Sequence, residues 1–401
     1  MTIQEKIETI ILSGKKLVES GLIVRTWGNI SFRISENQFI ITPSGRDYLK
    51  LTPEEIVTVS ISDCSYSGNI KPSSEKGVHS EIYKFYPEIN FIIHTHQNYA
   101  SLVSTLMKDY IDVSNDFILL NKKVICADYA LPGTKKLSSN ISKALASYKS
   151  NAIIMKNHGA VCFSKDYKET FNVANELENA CKQFINDQYL KISNKRYINS
   201  LQGMSFAISR LIKKEITITE DHKLCSCESN RIENGFVFKY GEENYIIKFD
   251  QLDNIRIQNE VILNKIKIHF KIYKKSKDIN SIIHVFTPGI LVLSHAGIKL
   301  LPYLDDFAQI VGTSVKTVVS DSLKISTSLK KSSAVMIKNN GALCCGPSKS
   351  EALAVSSILE KNCNAFIIGT LFGKIKEINP LESILMRFVY LKKYSKQTNI
   401  K

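Results

Sequence analysis

"KNHGAVCFSKDYKETFNVANELENACKQFI", Lys156 to Ile185, aligns without a gap with "KNNGALCCGPSKSEALAVSSILEKNCNAFI", Lys338 to Ile367, 182 positions further along. A second pair, "INFIIHTHQNYASLVST" from Ile89 and "INSIIHVFTPGILVLSH" from Ile279, matches at a spacing of 190. Two matches in the same order at nearly the same spacing mark a duplicated domain of roughly 180 to 190 residues. The 401-residue chain is therefore expected to hold two copies, residues 1–200 and 201–401, meeting near "KRYINSLQGMSF".

Within the first copy the apolar spacing switches between two and three-to-four. An amphipathic N-terminal helix carries Ile7, Ile10, Ile11, Leu17 and Val18 and ends near Gly21. Strands are expected over Ile30 to Arg33, Gln38 to Ile41 and Ile56 to Ser62, then a helix "GVHSEIYKFYP" feeding a strand "NFIIHTH" and a helix from Tyr99 to Leu106. Val124 to Ala127 reads as a strand, Leu137 to Ser147 as a helix and "NAIIMKNHG" as a strand. The long helix after it keeps Phe171, Ala174, Leu177, Cys181 and Phe184 on one side. The expected fold class is α/β, a three-layer α/β/α sandwich with a mostly antiparallel central sheet, present twice in tandem.

Bulk composition narrows the function classes. Lys and Arg exceed Asp and Glu by 53 to 38, but the basic residues are scattered pairs such as Lys122-Lys123 and Lys330-Lys331. No tract combines them with regularly placed aromatics, so nucleic acid is not an expected partner. A basic surface suits small anions such as sugar phosphates. No run of about twenty apolar residues appears, so no membrane span is expected. Nine cysteines, an odd number lying mostly in apolar runs, fit reduced thiols of a cytoplasmic protein. Cys225-Ser-Cys227 has no second cysteine pair to complete a metal site and reads as an exposed loop.

The chemistry-bearing residues lie in the first copy. His94 and His96 are two apart in a strand, so both imidazoles face one way. His158 ends a strand just before Gly159, and Glu75 in "KPSSEKG" precedes the helix that leads to His94. Each alone is commonplace, since a histidine before glycine usually hydrogen-bonds its own loop and a lone glutamate is usually a surface acid. Together, three imidazoles and a carboxylate make a divalent-metal donor set, and zinc accepts that N/O mixture. "WGNISFR", "TPSGRDY" and "PSSE" add small and hydroxyl residues whose backbone N–H groups can approach an anion.

Gly-Asn-x-Ser, Thr-Pro-Ser-Gly, Ser-Ser-Glu, His-Thr-His and Asn-His-Gly, in this order over residues 1 to about 190, resemble the class II aldolase/adducin family. The resemblance implies metal ligands at Glu75, His94, His96 and His158, with Glu75 also the catalytic acid/base. It implies phosphate binding at Asn29, Ser44, Gly45, Ser73 and Ser74. The implied reaction is zinc-dependent cleavage of a phosphorylated ketose to dihydroxyacetone phosphate and an aldehyde. Ribulose-phosphate 4-epimerase, sugar-phosphate dehydratase and a non-catalytic adducin-like scaffold are the alternatives within the family. Aldolases of the family carry a tyrosine some twenty residues after His-x-His; here Asn115 and Asp116 stand near that place, and Asp116 is the acid/base candidate. In the second copy His284 aligns with His94, Phe286 with His96, Asn340 with His158, Lys265 with Glu75 and Leu263-Asn264 with Ser73-Ser74. That copy resembles the family only from about Gly235 onward. It is expected to fold without a metal site, so one zinc per chain is expected. Family rings of four imply a homo-oligomer in which two chains supply four domains.

Overall fold

The structure, a computed structural model, describes residues 1–23, 27–193, 201–216, 226–250, 257–373 and 375–393. They fall into two compact units, Met1–Gln188 and the residues from Tyr189 onward. The changeover lies inside a long helix, where the buried Tyr189 donates its hydroxyl hydrogen to the Gly203 carbonyl (2.8 Å).

The first unit runs α1 (Ile3–Glu19), β1 (Asn29–Arg33), β2 (Gln38–Ile41), β3 (Val57–Ser60), α2 (Lys76–Phe85), β4 (Phe91–Thr95), α3 (Asn98–Ser104), β5 (Tyr110–Asp112), β6 (Lys123–Ala127), α4 (Lys135–Ser147), β7 (Ala152–Met155), β8 (Gly159–Ser164) and α5 (Tyr167–Ser193). Its strands form one sheet in the order β3-β2-β1-β4-β8-β7-β6-β5. Only β6 and β7 pair in parallel. Alternation along β4 assigns its faces. Ile92 joins the core under α2 and α4, with Val78, Ile82, Leu137, Ile141, Val161 and Phe163. On the other face Thr170 of α5 donates to the Phe91 carbonyl (3.4 Å). Helices on both faces of one mixed sheet make the expected three layers. α1 starts from a reciprocal cap: Thr2 accepts from Glu5 N (3.2 Å) while the Glu5 carboxylate accepts from Thr2 N (2.7 Å).

Two strands were illegible, the short edge strand β5 and the central β8. "NAIIMKNHG" reads as a single strand, but the chain turns at Lys156–His158 and returns as β8. β8 sits between β4 and β7 at the centre of the sheet. All six of its residues are buried, so it lacks the alternation that betrays a half-exposed strand.

The second unit repeats the pattern: α6 (Leu201–Ile212), β9 (Cys227–Ile232), β10 (Gly235–Tyr240), β11 (Glu243–Lys248), α7 (Glu260–Lys275), β12 (Ser281–Val285), α8 (Pro288–Ala296), β13 (Thr317–Val318), α9 (Ser322–Ser328), β14 (Ala334–Ile337), β15 (Ala342–Gly346), α10 (Lys349–Phe372) and α11 (Pro380–Lys393). The sheet order β11-β10-β9-β12-β15-β14-β13 is that of the first unit without its edge strand. The likeness begins earlier than Gly235. β9 stands beside β12 as β1 stands beside β4, with Cys227 opposite His284 and Asn29 opposite His94. Too few side chains are shared there to show it in sequence. One that is shared is Arg33, whose guanidinium donates to the carbonyls of Ile89 (2.9 Å) and Tyr83 (2.6 Å) at the end of α2. Arg231 does the same to Ile279 (3.0 Å) and Tyr273 (3.0 Å) at the end of α7. Cys225 lies outside the described residues; Cys227 is buried in β9.

Candidate active site

The site grows from the buried centre of the first sheet. His94 shares a face of β4 with Ile92, and His96 follows just past the strand end. His158 is set in the β7–β8 turn, where Asn157 adopts φ +58°. Gly159 then brings β8 against β4, and a Cβ there would stand 2.3 Å from the Thr95 carbonyl oxygen. Only glycine permits that approach. Glu75 heads α2 from the same face.

These four side chains converge. The Nε2 atoms of His96 and His158 lie 3.1 Å and 3.0 Å from His94 Nε2. The Glu75 carboxylate oxygens are 3.2 Å from His94 Nε2 and 3.0 Å from His158 Nε2. All four residues are buried. Donor atoms arranged tetrahedrally about 2.0–2.1 Å from a zinc ion are about 3.3 Å apart, which is close to these spacings. Among the described residues, His94, His96 and His158 form the one cluster of His, Cys, Asp or Glu side chains that could hold an ion.

Protonation suits that use. Burial alone would raise the Glu75 pKa, but His94 and His158 beside it hold the carboxyl well below its ordinary value. Burial pushes the His94 pKa well below that of free imidazole, against the pull of Glu75. An anionic carboxylate and a neutral imidazole are the states in which these groups ligate a metal. His94 Nδ1 faces the Ala160 carbonyl (2.9 Å), leaving Nε2 for the site.

The two hydroxyl-rich loops lie together: Ser44 N donates to the Lys71 carbonyl (3.0 Å) and Ser73 N to the Thr42 carbonyl (3.0 Å). Gly45 sits in this turn at φ +71°. The Ser73 hydroxyl accepts from the backbone N–H of Glu75 (3.2 Å), while Ser74 is exposed. Asn29, expected with the phosphate-binding group, is buried and donates from Nδ2 to Glu75 Oε2 (2.9 Å). Asp116 is not brought to the cluster by its own domain. It is exposed, bonds Ser114 Oγ (2.8 Å), and lies in the loop after β5, the far edge strand.

The corresponding place in the second unit is built differently. Lys265 Nζ lies 3.2 Å from His284 Nδ1, the Phe286 ring is 4.3 Å from the His284 ring, and His284 Nε2 donates to the Asn340 carbonyl (2.7 Å). The serine loop is gone. α7 begins at Glu260 under an Asn259 cap, so Leu263 and Asn264 lie within the helix.

Residues 8–185 and 239–367 match the family described as the class II aldolase and adducin N-terminal domain. The chain belongs to that family. It is 34% identical over 179 residues to a 5-deoxy-D-ribulose 1-phosphate aldolase of Bacillus thuringiensis serovar kurstaki, covering 44% of this chain and 83% of that one. It is 28% identical over 202 residues to a 3-oxo-tetronate 4-phosphate decarboxylase of Haemophilus influenzae, covering 49% of this chain and 92% of that one. A solved L-fuculose 1-phosphate aldolase is similar at a TM-score of 0.43 and 26% identity, over 55% of this chain and 93% of the other. The family and the relatives named as aldolases support an enzyme. No helix among the described residues is long and apolar enough to cross a membrane.

Proposed function

We propose that the chain is a zinc-dependent aldolase that cleaves a phosphorylated ketose to dihydroxyacetone phosphate and an aldehyde, with its single reaction centre in the first unit. The observation that carries this reading is the meeting of Glu75 with the Nε2 atoms of His94 and His158, and of His96 with His94, within 3.2 Å. His94, His96, His158 and Glu75 would hold the cation, which supplies Lewis acidity at the ketose oxygens. Glu75 moves the proton at the carbon that carries negative charge as the C–C bond breaks. Asn29, Ser44, Gly45, Ser73 and Ser74 hold the phosphate and fix which bond lies at the metal. Asp116, at the opposite edge of its own sheet, acts as acid/base only on a site in a neighbouring domain.

The second unit is proposed as a structural partner. Its Lys265 cation, Phe286 and Asn340 replace three ligands, leaving His284 alone. Two chains would then supply the four domains of a ring, in the reducing cytoplasm that eight unpaired described cysteines suit. A monodisperse monomer in light scattering would rule the ring out.

Metal analysis together with a coupled assay for dihydroxyacetone phosphate release from deoxyribulose, fuculose and rhamnulose phosphates tests the reading. About one zinc per chain is expected, lost with activity in His96→Ala and retained with activity in His284→Ala. The reverse pattern would overturn it. The decarboxylase relative favours one second reading at the same site, and CO₂ release from a 3-oxo-tetronate phosphate without aldol cleavage would establish it.

A further inference from the structure

His79 sits one turn into α2, fully buried, with one ring nitrogen on each of two partners. Its Nδ1 meets Ser31 Oγ at 2.6 Å, and Ser31 Oγ meets the Tyr83 hydroxyl at 2.8 Å. Its Nε2 contacts Asn29 Oδ1, and Asn29 Nδ2 donates to Glu75 Oε2 (2.9 Å). We propose that His79 is a positioning residue for the Glu75 carboxylate, acting through the Asn29 amide. The proposal rests on the reading of Glu75 as ligand and acid/base.

The direction of each hydrogen bond follows from the carboxylate. An ionised Glu75 only accepts, so the Asn29 amide must turn Nδ2 toward it and Oδ1 away. Oδ1 then needs a donor, which fixes the hydrogen of His79 on Nε2 and leaves Nδ1 to accept from the Ser31 hydroxyl. Ser31 Oγ also meets the Tyr83 hydroxyl, whose hydrogen has the Asn90 carbonyl within reach (3.3 Å). From Ser31 onward every hydrogen in this buried chain points toward Glu75, and each bond polarises the next in the same sense. Reversing the amide would set the Asn29 oxygen against the Glu75 carboxylate oxygen in a buried site.

The second unit separates the structural part of this chain from the part that serves the site. There Ser229 Oγ meets His269 Nδ1 at 2.7 Å and the Tyr273 hydroxyl at 2.8 Å, so the Ser–His–Tyr segment is intact. Beyond it the chain stops. Cys227 occupies the place of Asn29 and Lys265 that of Glu75, and His269 Nε2 has no hydrogen-bond partner. A unit without the carboxylate keeps the Nδ1 bond and lacks the Nε2 bond. The Nδ1 side of the histidine therefore belongs to the fold, and the Nε2 side belongs to the site.

The test uses the full chain and three variants: Asn29→Leu, His79→Phe and, as the structural control, His269→Phe. Competition with a chromogenic chelator reads zinc affinity, and calorimetry reads binding of inorganic phosphate. Loss of a partner behind a metal ligand weakens binding by about 10- to 100-fold. That loss is expected for Asn29→Leu and His79→Phe, with phosphate affinity in His79→Phe held within about two-fold. His269→Phe is expected to lower thermal stability and leave zinc affinity unchanged, as a merely structural histidine would. Unchanged zinc affinity in both first-unit variants, or phosphate binding lost in His79→Phe, would overturn the proposal. A third arm is read on metal-free wild-type protein with ¹⁵N-labelled histidine. Its long-range ¹H–¹⁵N spectrum should show the Nε2–H tautomer for His79, and Nδ1–H would refute the relay even if the variants fail to fold. Wild-type protein that binds no metal would sink the reading of the site, and the tautomer would still judge the relay.

Discussion

Lowering the pH of the metal-free chain should destabilise both units well before carboxylates titrate. Burial pushes His79 in the first unit and His284 in the second down to about 3, and pushes His94 and His269 well below their ordinary value. The unfolded chain takes up a proton at each near pH 6.5, whereas the folded chain does not. Folded pKa values below the unfolded ones mean stability that is complete above about pH 6.5 and lost as the pH falls toward the folded value. Between about pH 7 and about pH 5.5 each such histidine costs about 1.3 kcal/mol, so the pair in each unit costs about 2.5 kcal/mol. Typical domains have only about 5–15 kcal/mol to lose. Urea unfolding in the presence of a chelator, followed at several pH values in this window, measures the effect. The slope of stability against pH should correspond to about two protons per unit, falling to about one in the first unit of His79→Gln. Stability independent of pH across the window would show that these imidazoles take up protons in the folded state, and the assignment of neutral ligands would fail with it.

Gly159→Ala should cost about 1–3 kcal/mol by forcing β8 from β4, since its Cβ would stand 2.3 Å from the Thr95 carbonyl; it should also weaken zinc binding measured by chelator competition. Gly68→Ala, where nothing lies within 4 Å of the added carbon, should leave zinc binding unchanged. Lys361→Ala removes the ammonium group that the buried Asp306 carboxylate contacts at 2.5 Å. A loss of about 3–5 kcal/mol is expected, confined to the unfolding transition of the second unit. Zinc at about 100 times its dissociation constant should stabilise the first unit by about 2.7 kcal/mol, and a thermal shift of equal size in His96→Ala would show that the metal binds elsewhere.

Much of this was legible because the ligands are rare residue types at fixed places. His94 and His96 share a strand face by period, and Asn-His-Gly marks a tight turn. Glu75 could not be placed on the histidines by spacing alone. It reaches them through the packing of α2 over β4, a tertiary fact that only the family resemblance anticipated. Asn29 was legible as part of the site, but its bond to Glu75 was not, because sequence cannot show which way a buried amide turns. Ser31 entered only as the serine of Gly-Asn-x-Ser, and neither it nor Arg33 signalled its structural part: a serine and an arginine in a strand look like surface residues until the helix they hold is seen. β8 escaped for a related reason, being buried throughout. The copy relationship was plain where turns and glycine constrain the chain, around Asn157 and Asn339, both at positive φ. It vanished in β9, where the backbone pairing is retained with few side chains beyond Ser229 and Arg231.

The lysine next to His284 also bears on ancestry. A divalent ion needs several donors at once, so no single reversal at Lys265, Phe286 or Asn340 would recover any affinity for selection to act on. Meanwhile the amine already provides a fixed positive charge that no chelator can strip away. For a carboxy-terminal half descended from a metal-binding copy, such an exchange would work as a ratchet: once the cation became part of the polypeptide, the way back would be closed one substitution at a time.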